Sequence, residues 1–294
     1  FTVSKFALTE SYEYDRDTYG TDRHISWIDL LAWTAAHTGG KFGDDRTVCK
    51  CMEELETEVE AGKKLEKLTE DLDYFPYYRE VYETVLGGMV GEYEIEEPDA
   101  QGRKVSRKRY GLKAFHPIAK GFPYTDYDDF GASRSYGYRR PHLGHDMMGQ
   151  VGTPVIAVES GYVEAIGWNQ YGGWRLGIRS FDKKRYYYYA HLRKNYPYHK
   201  SLKEGSIVQA GDVIGYLGRT GYSRTENTNN IDEPHLHFGL QLIFDESQKE
   251  GNNEIWIDCY QLVQFLQLNR SETKKNPETK EYSRVLEMRD PAMP

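Results

Sequence analysis

The chain has no run of the ~18 consecutive apolar residues that a membrane-spanning helix needs, and its mean hydropathy is -0.77. No segment of it therefore reads as a transmembrane helix. Cysteine is scarce. Cys49, Cys51 and Cys259 are the three present, an odd number that builds no disulfide framework. The Cys49-x-Cys51 pair has no two further ligands nearby, so these residues read as thiols, or at most one bridge. A surplus of basic charge is missing as well. Acidic residues number 46 against 38 basic, a net charge of -8, with the acids concentrated from Glu53 to Asp99. Such a surface repels phosphates and argues against nucleic acid as a partner. The first residue is Phe1 rather than Met, which leaves a signal peptide or a membrane anchor upstream open.

At 294 residues the chain is long enough for a full core and for two domains. The first 95 or so residues read as helical. Ser26 with Asp29 three positions on forms an N-cap signal, after which Trp27, Leu30, Leu31 and Ala35 share one helical face. Gly39-Gly40 ends that segment. Met52, Leu55, Val59, Leu65, Leu68 and Leu72 continue at looser helical spacing. Tyr78, Val81, Tyr82, Val85 and Leu86 form a third stripe, stopped by Gly87-Gly88. A polar segment from Glu92 to Lys108, containing Pro98 and Gly102, reads as a linker and is placed at 96–110.

Beyond the linker the texture changes to short β-branched and aromatic runs punctuated by glycine. The runs 153–158, 161–168, 174–180, 185–191, 212–217 and 235–242 predict antiparallel strands, and the class is α+β. A final helix is expected around Ile257 to Leu266. These bounds give a helical domain over 1–95, a β domain with a C-terminal helix over 111–268, and a polar tail over 269–294. Tyrosine is frequent at 25 residues, which fits either β-rich packing or a groove that grips sugars or peptides.

Three histidine patterns fall in the β region. In His142-Leu143-Gly144-His145-Asp146, residues i and i+4 of an extended strand share a face, so His142 and Asp146 can hold one ion. In His235-Leu236-His237-Phe238, both imidazoles face one side while Leu236 and Phe238 pack behind. Tyr189-Ala190-His191-Leu192 ends the tyrosine-rich strand. Two histidines and a carboxylate suit a hydrolytic zinc site, because they leave a coordination position for water. A second pair of histidines can take that water's proton and stabilise the developing oxyanion.

From about Phe115 to Leu242 the sequence resembles the lysostaphin/LytM-type metallopeptidases, peptidase family M23. The resemblance rests on His142-x-x-x-Asp146, Gly152-Thr153-Pro154-Val155, Gly161-Tyr162-Val163, Tyr171-Gly172-Gly173, Tyr189-Ala190-His191-Leu192, Gly211-Asp212-Val213-Ile214-Gly215, Thr220-Gly221 and His235-Leu236-His237-Phe238, in the family's order. It implies an all-β antiparallel two-sheet peptidase domain with an open groove. It implies one Zn2+ held by His142, Asp146 and His237, with His191 and His235 acting on the catalytic water and the tetrahedral intermediate. It also implies peptide bonds in the stem or cross-bridge of bacterial peptidoglycan as substrate. The place of action is then extracytoplasmic: secreted, in the cell wall, or membrane-anchored with the domain outside.

Three features depart from the family's pattern: a long polar loop from Tyr222 to Pro234, the extra His145 beside the ligands, and Gly239 where an acidic residue is common. His145 is expected to point away from the metal. Arg134 either lines the groove or forms a surface salt bridge, and Tyr186 to Tyr189 must alternate faces. His24, His37, His116 and His199 carry no partner pattern and read as structural. The helical domain lies outside the resemblance, and its partner is unknown. Two competing readings stand beside the enzyme: a zinc-binding cell-wall or sporulation scaffold, and a peptidase kept latent by the helical domain.

Overall fold

A computed structural model describes residues 1–249 and 253–294. The chain divides into two compact units, one of residues 1–91 with 110–112, the other of 92–109 with 113–294.

The first unit is helical: α1 (Lys5–Thr18), α2 (Trp27–Thr38), α3 (Asp45–Glu60), α4 (Leu65–Thr69) and α5 (Phe75–Leu86). The Ser26 side chain accepts the backbone N–H of Asp29 and so caps α2, satisfying one of the donors a helix start leaves open. At the other end Gly39 takes a φ of 63°, a left-handed turn that glycine enters without a steric penalty. Every residue from Trp27 to Ala35 is buried, so α2 is the central helix. Val48, Met52, Leu55 and Val59 supply the buried stripe of α3. Asp15 is buried, yet it accepts from the Trp27 backbone and the Tyr110 hydroxyl and also meets the His24 ring. Its charge therefore organises the unit rather than standing unsatisfied.

The second unit is built on an eight-stranded antiparallel sheet. Its path runs Ile207–Val208, Gly161–Asn169, Gly173–Ser180, Arg185–Ala190, His235–Leu242, His145–Gly149 and Tyr124–Asp126, with Ile255–Ile257 also paired to His235–Leu242. Alternation sorts the tyrosine strand. Tyr187 and Tyr189 are fully buried beside Phe238, while Tyr186 and Tyr188 line a cavity on the opposite face. Leu236 and Phe238 are fully buried behind the two histidines of their strand, each worth about 1.5–3 kcal/mol of burial. That burial fixes the register, because a slip of one residue would turn the histidines inward. A smaller sheet pairs Pro154–Ile156 with Val213–Tyr216, and Ala119, Ile156, Val213 and Tyr216 form a cluster there. Among the described residues the strands thus form one large sheet and several small ones. Gly161 shows why a glycine stands at that strand start. A β-carbon there would lie 2.1 Å from the Arg179 carbonyl oxygen.

Two segments are more ordered than their polarity suggests. The stretch expected as a linker carries the strands Val90–Pro98 and Lys104–Leu112. The expected tail, 269–294, carries Thr273–Lys275, Tyr282–Arg284 and Met288–Arg289, the last paired with Val90–Pro98. Polar chain is held there by ladder hydrogen bonds and by ion pairs such as the buried Lys113–Asp290 contact of 2.8 Å. Hydropathy alone does not report either. The final helix is α6 (Tyr260–Leu266). All three cysteines are free thiols. No helix among the described residues is long and apolar enough to cross a membrane.

Candidate metal centre

Strand pairing brings the centre together. His237 lies directly across from Asp146, and Ala190 directly across from His237 on its other side. His142 arrives differently from the sequence expectation. It precedes the strand, which starts at His145, and residues 142–144 are irregular with a bend at Gly144. The i, i+4 pair therefore meets through that bend and not through strand alternation. Gly144 leaves the room this needs: a β-carbon there would stand 2.6–2.8 Å from the His237 ring and the Phe238 carbonyl oxygen.

Three donor atoms converge. His142 Nε2 is 3.0 Å from Asp146 Oδ1 and 2.8 Å from His237 Nδ1, and His237 Nδ1 is 2.9 Å from Asp146 Oδ1. Among the described residues this is the group of His, Cys, Asp or Glu side chains whose donor atoms could share an ion. Behind His142, its Nδ1 lies 3.1 Å from both the backbone oxygen and the side-chain Oδ2 of Asp129. Both of those atoms accept, so Nδ1 carries the proton and Nε2 presents its lone pair. Three lone pairs then face one another, an arrangement that only a proton or a cation makes favourable. The donor set, two imidazoles and a carboxylate, is one that zinc prefers. A zinc ion fits these residues.

The electrostatics agree with a cation-ready site. Burial alone would raise the Asp146 carboxyl, but hydrogen bonds from His142 and His237 outweigh it and hold Asp146 well below the usual carboxylate range. Burial works against a charged His142, yet Asp129 and Asp146 overcome it and lift its pKa to about 9. A divalent cation replaces the proton that these carboxylates favour. Burial pushes His237 down. It does the same to His191, where His235 and His237 add to the effect.

His191 and His235 stand beside this cluster. Their ring centroids are 4.7 Å apart, and the His235 Nε2 is 3.8 Å from Asp146 Oδ1. His191 Nδ1 lies 2.8 Å from the Thr220 carbonyl oxygen, and His235 Nδ1 lies 2.8 Å from that of Glu233. Carbonyl oxygens only accept, so both rings carry a proton on Nδ1 and turn Nε2 away from those carbonyls. His191 also holds a φ of 60°, a left-handed backbone that non-glycine residues rarely adopt and that clusters at functional sites. It is pinned by its N–H donating to the Gly172 carbonyl at 2.7 Å.

Asp129 was not singled out from the sequence. It is buried, and its Oδ2 also accepts from Arg134 Nη2 at 2.6 Å. The same Nη2 donates to Asp146 Oδ2 at 3.0 Å, so Arg134 clamps two carboxylates at the centre. His145 turns to Asp126 Oδ2, 2.9 Å away, on the opposite face from Asp146. His24, His37, His116 and His199 each meet a partner in their own unit: Asp15, the Trp33 carbonyl, Tyr124 and Ser201 respectively. Gly239 is covered by Trp256, whose ring a β-carbon there would meet at 2.6 Å.

The cavity is about 640 Å³ and is lined by His142, Asp146, His191 and His237 together with Tyr138, Tyr171, Tyr186, Tyr188 and Tyr222. The Tyr222 ring, which opens the long polar loop, stacks on Tyr136 at 4.6 Å, and the Arg140 guanidinium lies 4.9 Å over Tyr171. Residues 140–251, which contain all five histidine and aspartate positions of the centre, match the family model described as Peptidase family M23.

Residues 140–251 of the second unit are thus similar to the M23 peptidases. The chain is similar to the L-Ala–D-Glu endopeptidase of Bacillus subtilis (strain 168), 41% identical over 124 residues, which are 42% of this chain and 36% of that protein. It is also similar to lysostaphin of Staphylococcus staphylolyticus, 39% identical over 98 residues, 33% of this chain and 18% of that protein. The chain thus spans well under half the length of these curated relatives. The crystal structure of lytM from Ruminococcus gnavus shares the fold. It has a TM-score of 0.53 at 22% identity and covers 91% of this chain and 97% of its own.

Proposed function

We propose that the M23-like domain is a zinc-dependent endopeptidase that hydrolyses peptide bonds in the stem or cross-bridge of bacterial peptidoglycan, outside the cytoplasm where that polymer lies. The observation that carries the reading is the convergence of His142 Nε2, Asp146 Oδ1 and His237 Nδ1 within 3.0 Å of one another, with His191 and His235 alongside.

In this reading His142, Asp146 and His237 are the ligands. Zinc, when bound, supplies a Lewis acid that polarises the peptide carbonyl and acidifies water. Asp129 and Arg134 orient His142 and Asp146. One of His191 and His235 accepts the proton of the attacking water on Nε2, and the N–H so formed donates to the oxyanion side of the tetrahedral species. The tyrosine-lined cavity is the open groove that receives the peptide. The B. subtilis relative's name points to a stem-peptide bond.

The test is to incubate the zinc-loaded chain with cross-linked peptidoglycan of two bridge types and to identify new amino termini by mass spectrometry, beside a His235→Ala control. New termini with the wild type and not with the variant support the peptidase. A chain that binds one zinc and releases no termini from either polymer counts against an active peptidase and leaves the scaffold and the latent-peptidase readings, which a chain starting near Arg103 then separates.

A further inference from the structure

Three arginines stand on the strand Gly173–Ser180 and its neighbour Arg185–Ala190, and one of them differs from the other two. Arg179 is paired with Glu164 at 2.7 Å and Arg185 with Glu159 at 2.8 Å. Arg175 lines the cavity, and its Nη1 is buried without a hydrogen-bond partner among the described residues. Guanidinium donors removed from water normally find an acceptor. The other cations on the cavity wall are engaged: Arg134 with Asp129 and Asp146, Lys249 with Glu164, and Arg140 with the Tyr136 carbonyl. Of the wall's carboxylates, Glu254 accepts from the Trp256 indole at 2.8 Å, and Glu204 is exposed.

The position of Arg175 is set by register. Leu176 pairs with Tyr189, and Ala190 with His237, which faces Asp146. Arg175 therefore continues the row Ala190, His237, Asp146 across the sheet. Two strand spacings separate its backbone from that of His237, about 10 Å. Ala190 between them carries only a methyl group, so the floor from the guanidinium to the metal ligands stays low. An extended peptide advances about 3.3 Å per residue, so a group gripped by Arg175 lies within roughly three residues of a bond held at the centre.

We propose that Arg175 binds a carboxylate of the substrate peptide within about three residues of the scissile bond, and so selects acidic peptides over their amidated counterparts. The planar donor fork of arginine matches a carboxylate through two parallel hydrogen bonds and has no such match with a carboxamide. This rests on the peptidase reading above.

The test uses the zinc-loaded full chain and two synthetic peptides, L-Ala-γ-D-Glu-L-Lys-D-Ala and the same peptide with the glutamate α-carboxylate converted to carboxamide. The wild type should favour the acidic peptide by roughly 10- to 100-fold in kcat/KM, expressed mainly in KM, and Arg175→Gln should bring that ratio near one. Among the described residues Nη1 has no hydrogen-bond partner to lose in the variant. A wild type without preference, or a ratio unchanged in Arg175→Gln, overturns the proposal. If the wild type cleaves neither peptide, the peptidase reading fails on this substrate, and calorimetry still decides the clamp. Tighter binding of the acidic peptide by the wild type but not by Arg175→Gln supports it; equal binding overturns it.

Discussion

Gly144→Ala isolates the steric design of the centre from its chemistry, because it touches no donor atom. Gly144 needs no left-handed backbone, so alanine meets no conformational penalty there. The new β-carbon would stand 2.6 Å from His237 Cε1 and 2.7 Å from Nε2, where ordinary contact begins at 3.4 Å. The ring, or the bend carrying His142, must therefore yield by about 0.7 Å, well beyond the ~0.2 Å that metal–ligand distances tolerate. Retreat of the backbone is opposed by the Phe238 carbonyl oxygen at 2.8 Å. Zinc affinity should fall roughly 10- to 100-fold, and kcat/KM at saturating zinc roughly 100-fold, the cost of misplacing a reacting geometry by this much. Overpacking should lower stability by only about 1–3 kcal/mol. Competition against a chromophoric chelator, steady-state kinetics and urea unfolding read the three quantities. A folded Gly144→Ala protein with zinc affinity and kcat/KM within threefold of wild type would refute the reasoning.

Asp129→Ala removes the carboxylate that orients His142 and anchors Arg134. Zinc affinity should drop roughly 10- to 100-fold, and chelator competition showing no change would remove Asp129 from the centre. Glu159→Gln removes the buried charge opposite the Arg185 guanidinium, which retains Asp182 at 2.9 Å, and weakens the acceptor of the Tyr187 hydroxyl, now 2.5 Å from Glu159. Breaking one partner of such a pair should cost about 3–5 kcal/mol, measured by urea unfolding with zinc affinity as a control. His116 is buried, and that burial, with Arg270 nearby, depresses its pKa from 6.5 to about 3. Between those values the unfolded chain takes up the proton that the fold refuses. Stability should therefore fall as pH drops below about 6.5, by about 1.4 kcal/mol per pH unit. His116→Gln should lack this component, and identical pH profiles for the two proteins would contradict it.

The β unit was legible because its two signals are periodic. Alternation in 185–190 and 235–242 assigned faces, and glycines marked the turns, so the predicted strands fall within a residue or two of those observed. Capping chemistry at Ser26 and the Gly39 turn made α2 equally plain. His142 and Asp146 were paired for the wrong local reason, since the bend at Gly144, and not a strand, aligns them. Arg134 reads as a groove or salt-bridge residue and is both, but Asp129 escaped because nothing in Phe130-Gly131-Ala132-Ser133 marks an irregular loop that folds back on the histidine. The Asp129 carboxylate thirteen residues before His142 has no spacing rule to reveal it. The strands of 90–112 and 273–289 were hidden by their own polarity, because edge pairing and ion pairs leave no hydrophobic pattern. Arg175 looked like any strand arginine until its neighbours proved to be paired.

The central claim is that His142, Asp146 and His237 hold one zinc. The most direct measurement is anomalous diffraction at the zinc absorption edge from crystals of the zinc-loaded chain. The account predicts one strong peak per chain within bonding distance of His142 Nε2, Asp146 Oδ1 and His237 Nδ1, absent in His237→Ala. A peak elsewhere on the chain, or none at this triad at saturating zinc, would contradict it.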